Sequence, residues 1–246
     1  MDYFDRGYEK TARFFDLFAR RDDIEFYCGY AKDAGEILDI GAGTGRVAMP
    51  LAERGVKVVC VEPSPAMLAV FREKLAGNPG AAANITLIDG FAASFDLGRT
   101  VPAAFMAGAF DGFLDDAERR ASVANVARHV DAGGVLVFDV WLGYMKEWPL
   151  RLSNTVVRGD REYRMYDACK LADGKTMEFD AVCEVYEAGE LVERVEQKGW
   201  GSCSTRAGVR DLLDETGFKI RREFGGFDGK PYEEGDEVLV VEGVRV

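Results

Sequence analysis

The segment Glu36-Ile37-Leu38-Asp39-Ile40-Gly41-Ala42-Gly43-Thr44-Gly45-Arg46 joins a short apolar run to the start of a helical pattern. Three apolar positions in the five residues 36–40, followed by three glycines in five residues, read as strand, tight turn, helix. Glycine lets the backbone turn sharply and lets a ligand approach with no Cβ in the way. The helix that follows turns its free N–H groups and the positive end of its dipole toward whatever occupies the turn. The spacing is G-x-G-x-G. A dinucleotide fingerprint would need its third glycine at position 46, which is Arg46. No Gly-Lys-Ser/Thr follows, so the loop is not a Walker loop.

Outward from this loop the chain keeps a βα rhythm. Residues 46–54 read as a helix with Pro50 in its first turn and Gly55 ending it. Residues 56–61 read as a second strand, ending at Glu62, which lies 62 − 41 = 21 residues after the first glycine. Ser64 caps a helix over 65–75 that carries Pro65 at its first position. Residues 85–88 form a third strand ending at Asp89, and 103–107 a weaker fourth. A helix over 115–130, closed by Asp131-Ala132-Gly133-Gly134, precedes a fifth strand over 135–140. This alternation implies an α/β fold with a doubly wound parallel sheet. Strands over 218–224 and 237–246 add an antiparallel closing hairpin, for seven strands in all.

Residues 151–200 break the rhythm. Strands over 154–166, 176–187 and 190–198, with turns at Asp173-Gly174 and Ala188-Gly189, predict an inserted antiparallel meander. A helix over 9–20 with Phe14, Leu17 and Phe18 on one face docks on the core or covers a pocket. The whole, 1–246, reads as one domain: an N-terminal helical cap (1–35), a ligand-binding core (36–150), the meander (151–200), and a closing helix and hairpin (201–246).

Composition narrows the partners. Lys and Arg number 31 against 43 Asp and Glu, a formal charge of −12, which disfavours nucleic acid and anionic membrane surfaces. Five cysteines without C-x-x-C spacing suit neither a disulfide framework nor a zinc site. The first residues, MDYFDR, lack a signal-peptide pattern, and no apolar run is long enough for a membrane span, so a cytoplasmic setting is expected. A homodimer is left open.

The motifs ILDIGAGTGR, VCVEPSPAML, LIDGF and HVDAGGVLVFDV resemble the class I S-adenosylmethionine-dependent methyltransferases over about residues 36–140. The resemblance extends more loosely to the N-terminal DYFD and the C-terminal LLDETGFKI. It implies a Rossmann-like sheet with S-adenosyl-L-methionine as cofactor and S-adenosyl-L-homocysteine as product. It also implies that Gly41, Ala42 and Gly43 line the methionine part, with Asp39 supporting its ammonium. Glu62 would hold the ribose hydroxyls, Pro63 and Met67 would contact adenosine, and Asp89 with Gly90 and Phe91 would read adenine. Ala107 would face the sulfonium, and Tyr3 would cover the cofactor. Plainer readings stand beside these: Asp39 as an anchor of the loop backbone, Glu62 as a solvated strand end, Phe91 and Met67 as core. Arg46 reads as a surface arginine at a helix start, with an approach to the cofactor carboxylate as the alternative.

The acceptor is expected above the carboxyl ends of the fourth and fifth strands, among Phe110, Trp141, Tyr144 and Trp200, with Trp148 and Tyr166 nearby. Core packing is the competing role for each of these aromatics. The chain has Met106-Ala107-Gly108-Ala109-Phe110 where nucleic-acid amino methyltransferases carry Asn/Asp-Pro-Pro-Tyr/Phe, and it lacks the paired-glutamate loop of the arginine-methylating families. A small-molecule N or O acceptor fits best. The meander resembles the auxiliary sheet of methyltransferases acting on small amines and sugar-nucleotide amines. The single histidine, His129, falls at the amino edge of the sheet and is rejected as a base, so no catalytic residue is assigned. Two other readings compete: a non-catalytic cofactor-binding or interaction protein, and a nicotinamide-dependent dehydrogenase, against which Arg46 counts.

Overall fold

The structure, a computed structural model, describes residues 8–142, 146–172 and 174–246. In chain order, helices α1 (Ala12–Phe18) and α2 (Ile24–Ala34) lead into strand β1 (Glu36–Ile40). Then come α3 (Ala48–Glu53), β2 (Lys57–Glu62), α4 (Pro65–Ala76), α5 (Pro79–Ala82), β3 (Ile85–Asp89) and β4 (Val101–Met106). A 3-10 turn over Phe110–Gly112 leads to α6 (Asp116–Arg128) and β5 (Val130–Trp141). Four strands follow: β6 (Trp148–Arg158), β7 (Arg161–Leu171), β8 (Thr176–Glu187) and β9 (Glu190–Ser202). Helix α7 (Arg206–Thr216), β10 (Phe218–Phe224) and β11 (Val238–Arg245) close the chain.

The main sheet has the order β10-β11-β5-β4-β1-β2-β3. Its five strands from β3 to β5 pair in parallel, and β11 joins β5 antiparallel with β10 as its hairpin partner. The expected closing hairpin is therefore present. β1 pairs with β2 on one side and β4 on the other, so the winding direction reverses between β1 and β4. Open α/β sheets carry their ligands at the carboxyl ends of the strands beside such a reversal.

Alternation along the strands builds two apolar layers. Leu38, Ile40, Val59, Val61, Ala104, Met106, Leu136 and Phe138 face α6 and α7, meeting Val123, Val126, Leu212 and Leu213. Ile37, Val58, Cys60, Ala103, Phe105 and Val137 face the opposite layer, with Tyr27, Leu51 and Phe71. Burial on both faces is why these strands read as almost uninterrupted apolar runs. Helix starts follow local chemistry. The Ser64 hydroxyl accepts the Met67 amide at 3.3 Å, and Asp115 accepts that of Glu118 at 2.7 Å.

The inserted sheet has four strands in sequential antiparallel order, not three. The stretch 154–166, expected as one strand, is cut by a two-residue turn at Gly159-Asp160. Gly159 has φ +62° and Arg158 pairs with Arg161. A Gly-Asp pair is a tight-hairpin signal, which the polar residues on both sides concealed. The sheet also begins at Trp148, before the expected boundary at 151. Ala188 and Gly189 both take positive φ, as a type I′ turn requires. Asp173, half of the other expected turn, lies outside the described residues.

Two ties lock this sheet over the core. Gly201 of β9 lies so close to the 3-10 turn that a Cβ there would sit 2.6 Å from the Asp111 carbonyl oxygen. Buried Arg119 of α6 donates to the Ser202 carbonyl at 2.9 Å and to the Ser202 hydroxyl. On the other flank, Phe14 of α1 packs on Cys183 and Val185 of β8. No helix among the described residues is long and apolar enough to cross a membrane.

Candidate active site

The glycine loop turns directly off β1. The Gly41 amide donates to the Val61 carbonyl at 2.8 Å, folding the chain back over the end of β2. Gly41 has φ +69°, and a Cβ on it would sit 2.5 Å from the Ala109 Cβ. Gly45 has φ +80°, and its Cβ would enter the Phe71 ring at 2.2 Å. Both positions therefore demand glycine, one to let the loop after β4 approach and the other to seat it on α4. Gly43 donates its amide to Glu62 Oε2 at 2.8 Å, and the Ser64 amide reaches Glu62 Oε1 at 2.8 Å. Glu62 is 5% exposed, so it is no solvated strand end.

Above this loop opens a cavity of about 900 Å³, within the size range of small-molecule and cofactor sites. The main sheet, the loops at its carboxyl edge and the start of α4 contribute Asp39, Gly41, Ala42, Gly43, Glu62, Pro63, Met67, Phe91, Ala107 and Trp141 to its wall. The inserted sheet supplies Trp200 with Met165, Met177 and Phe179, and the N-terminal segment supplies Phe15 and Phe18. Asp89 stands in register with Glu62 but is exposed, and Gly90 donates its amide to the Glu62 carbonyl at 3.2 Å; neither is in the cavity wall.

Other expectations are corrected. Phe110 is fully buried, stacked on Phe138 at 4.7 Å between centroids, and belongs to the core beneath the cavity. The 3-10 turn rotates its side chain inward and brings Asp111, Gly112 and Phe113 to the wall instead. Trp148 and Tyr166 are not in the wall either; the Trp148 indole donates to Asp167. Arg46 is not a surface residue. Its side chain is 10% exposed, and Nη1 pairs with Asp23 at 2.5 Å and donates to the Arg20 carbonyl at 3.0 Å. Tyr3 and Tyr144 lie outside the described residues. His129 is buried at the amino edge, its ring nitrogens against the Asn125 carbonyl (2.9 Å) and Asp96 (3.2 Å), away from the cavity wall.

Carboxylates of the wall that the sequence reading did not single out include Asp111, Glu118 and Asp139. Asp139 Oδ1 accepts from the Tyr27 hydroxyl at 2.7 Å and from the Gly108 amide at 2.8 Å. Asp111 Oδ2 accepts the Trp141 amide at 2.9 Å. Burial shifts three wall aspartates, Asp39, Asp111 and Asp139. It pushes Asp39 up to about 7, opposed by Arg46 and reinforced by Glu62. Burial likewise pushes Asp111 up to about 7 and raises Asp139, whose Tyr27 and Gly108 hydrogen bonds work the other way. The available signal was positional: Asp111 follows the fourth strand by a few residues and Asp139 sits in the last turn of pleat of the fifth.

Helix α1 crosses this cavity. Asp16 accepts from the Thr44 hydroxyl at 2.6 Å and pairs with Lys74 at 2.7 Å, joining α1 to the glycine loop and to α4. Of the two roles weighed for this helix, docking and covering, its position serves both.

A methyltransferase-domain family matches residues 37–134. A Bacillus cytotoxicus protein described only as an uncharacterised methyltransferase is 28% identical over 142 residues, which is 53% of this chain and 64% of that protein. The chain thus spans less than two thirds of this curated relative. Among solved structures, the CcbJ methyltransferase of Streptomyces caelestis is similar over 100% of both chains, with TM-score 0.82 and 21% identity. CalS10 of Micromonospora echinaspora, an amino pentose methyltransferase solved with bound S-adenosylmethionine, is similar over 95% of both chains, with TM-score 0.72 and 23% identity. At such identities the structural likeness speaks for the fold, and the family match speaks for the domain. The glycine loop, the strand order and the family match converge: residues 37–134 carry a methyltransferase domain, in a chain whose fold is that of the class I S-adenosylmethionine-dependent methyltransferases.

Proposed function

We propose that the protein transfers the methyl group of S-adenosyl-L-methionine to an N or O atom of a small-molecule acceptor. The observation that carries this reading is the single cavity into which the glycine loop, Glu62 and an aromatic compartment under the inserted sheet all open. The residues fit the cofactor. The positive-φ glycines leave the loop face free of side chains. A carboxylate has about four acceptor sites, so Glu62, with one amide on each oxygen, keeps capacity for a ribose diol.

Gly41 to Gly43 and Asp39 would hold the amino-acid end, while Pro63, Met67 and Phe91 would enclose the adenosine. Asp89 and Gly90 would reach adenine only from outside the present wall. Ala107 follows the end of β4 and lines the same cavity as Trp141. When bound, the cofactor supplies an activated methyl group on a cationic sulfur. The chain holds the acceptor in line and keeps water out, and such positioning lowers barriers by ~7–11 kcal/mol. Trp141 and Trp200 line the cavity, and an aromatic ring face toward a cation is worth ~0.5–2 kcal/mol. That CalS10 acts on an amino pentose supports a compact amine as acceptor.

Titration calorimetry with S-adenosylmethionine and S-adenosylhomocysteine tests the reading, followed by an amine and phenol panel scored for S-adenosylhomocysteine release. Binding with turnover of one acceptor class supports it. No heat with either nucleoside overturns it, and binding without turnover across the panel favours a cofactor-binding protein without catalysis.

A further inference from the structure

We propose that Asp111 and Asp139 form a subsite that receives the acceptor as a protonated amine, and that Asp111 takes the proton which frees the nitrogen lone pair. This deepens the methyl-transfer reading and rests on it for the reaction.

Both residues stand in the wall of the same cavity, Asp111 from the 3-10 turn after β4 and Asp139 near the carboxyl end of β5. Each is fixed by one oxygen: Asp111 Oδ2 by the Trp141 amide, Asp139 Oδ1 by the Tyr27 hydroxyl and the Gly108 amide. Asp111 Oδ1 is shielded from water and has no hydrogen-bond partner among the described residues. A buried carboxylate oxygen left unpaired is costly, so such an atom marks a place for a donor.

The groups facing Asp111 do not supply that donor. Asp139 on β5 repels it, and the Cys203 thiol beyond β9 lies close enough to feel its charge. Arg119 on α6 attracts it, but its Nη1 is taken by Asp116 at 2.8 Å and its Nη2 by Ser202 at 2.9 Å, and its Nε, itself buried without a partner, makes no hydrogen bond to Asp111. Arg20, which faces Asp139, is held by Asp22 at 2.9 Å. No lysine among the described residues lines the cavity. Neither Asp111 nor Asp139 forms an ion pair among the described residues, and two neighbouring buried carboxylates cannot both ionise cheaply. An ammonium between them supplies the missing charge and the missing donors together. A neutral hydroxyl supplies no charge, so the pair selects amines over alcohols. Trp200, Phe179 and Met177 then offer an apolar bed for the body of the molecule.

The chemical step is a proton transfer. One N–H bond of the ammonium breaks and its electron pair stays on nitrogen as the lone pair. An O–H bond forms on Asp111. That proton returns to water when the methylated product leaves. Burial, with the Asp139 charge adding to it against the Trp141 amide and Arg119, places Asp111 near 7, which suits a group that must take and lose a proton near neutrality.

Carbon-13 NMR of the Asp111 carboxyl in the full chain tests this, with benzylamine as probe and benzyl alcohol as its uncharged counterpart. In the free protein Asp111 titrates near neutrality, and Asp139→Asn moves it toward ordinary aspartate values. Millimolar benzylamine moves its titration to lower pH, while benzyl alcohol does not. Asp111→Asn weakens benzylamine at least tenfold and leaves S-adenosylhomocysteine binding within twofold. An Asp111 resonance unmoved by benzylamine, or moved equally by the alcohol, overturns the proposal, and this wild-type measurement stands even where a variant fails to fold. If S-adenosylhomocysteine gives no heat while benzylamine still shifts Asp111, the methyl-transfer reading fails and the amine subsite survives.

Discussion

Glu62 Oε2 and the Gly43 amide meet at 2.8 Å, so the tip of β2 grips the glycine loop that leaves β1. The same carboxylate holds the Ser64 amide through its other oxygen, which fixes the entry to α4. One buried side chain thereby shapes two walls of the cavity before any ligand arrives.

Removing that grip should cost binding and stability together. Hydrogen bonds to a charged group contribute ~1.5–3 kcal/mol each, and ~1.4 kcal/mol is tenfold in affinity. Glu62→Ala is expected to weaken S-adenosylhomocysteine by one to two orders of magnitude in calorimetry. Glu62→Gln, which keeps one acceptor oxygen, should fall between. Wild-type affinity in Glu62→Ala would remove this residue from the site.

The glycine loop predicts a graded series. Gly45→Ala forces a methyl into the Phe71 ring, and Gly41→Ala forces one onto Ala109. Overpacking costs ~1–3 kcal/mol, added to ~1–2 kcal/mol for a left-handed alanine. Gly55→Ala, with φ +84° but open space around it, carries only the second cost. Chemical denaturation should therefore rank Gly55→Ala above the other two in stability, and equal midpoints for all three would contradict the loop geometry.

Asp16 gives a dynamic prediction. Its bonds to Thr44 and Lys74 pin α1 across the cavity. Asp16→Ala should speed amide exchange in α1 and quicken S-adenosylhomocysteine release, while exchange in β1 and β4 stays unchanged. Local openings of this kind draw on the low-stability end of a fold. Faster exchange throughout the main sheet would instead make Asp16 a determinant of global stability.

The pH dependence has a definite sign. Asp39 and Asp111 sit near 7 in the folded chain, against ~3.9 for a free aspartate. Between those values the unfolded chain has released protons that the folded chain keeps, so stability falls as pH rises from about 4 to about 7 and levels off above. Glu223 acts oppositely. Burial opposes its charge, but Arg210 and Arg206 overcome that and hold it at about 2, so its contribution is lost as pH falls below the ordinary glutamate range. Melting temperatures across this range should peak on the mildly acid side, and Asp39→Asn should flatten the descending limb. A melting temperature that climbs steadily from pH 5 to pH 8 would contradict the burial of these carboxyls.

Local chemistry made much of this molecule legible. Ser64 and Pro65 begin α4, and Ala188-Gly189 turns β8 into β9, both from local residue types. Gly159-Asp160 was missed because polar residues on both sides hid a turn inside an exposed edge. Phe110 was misassigned because one 3-10 turn decides whether a residue faces the core or the cavity, and sequence spacing does not resolve a single turn.

By itself the sequence determined the βα alternation, the glycine loop and the acid at the tip of β2, because each is written in neighbouring residues with short-range steric and hydrogen-bonding rules. Only the tertiary structure decided that Asp111 and Asp139 share a wall, that Arg46 is buried against Asp23, and that the inserted sheet roofs the cavity. Those outcomes depend on which elements pack together, and burial, which sets the charge state of a carboxyl, is a property of the packed whole rather than of any stretch of chain.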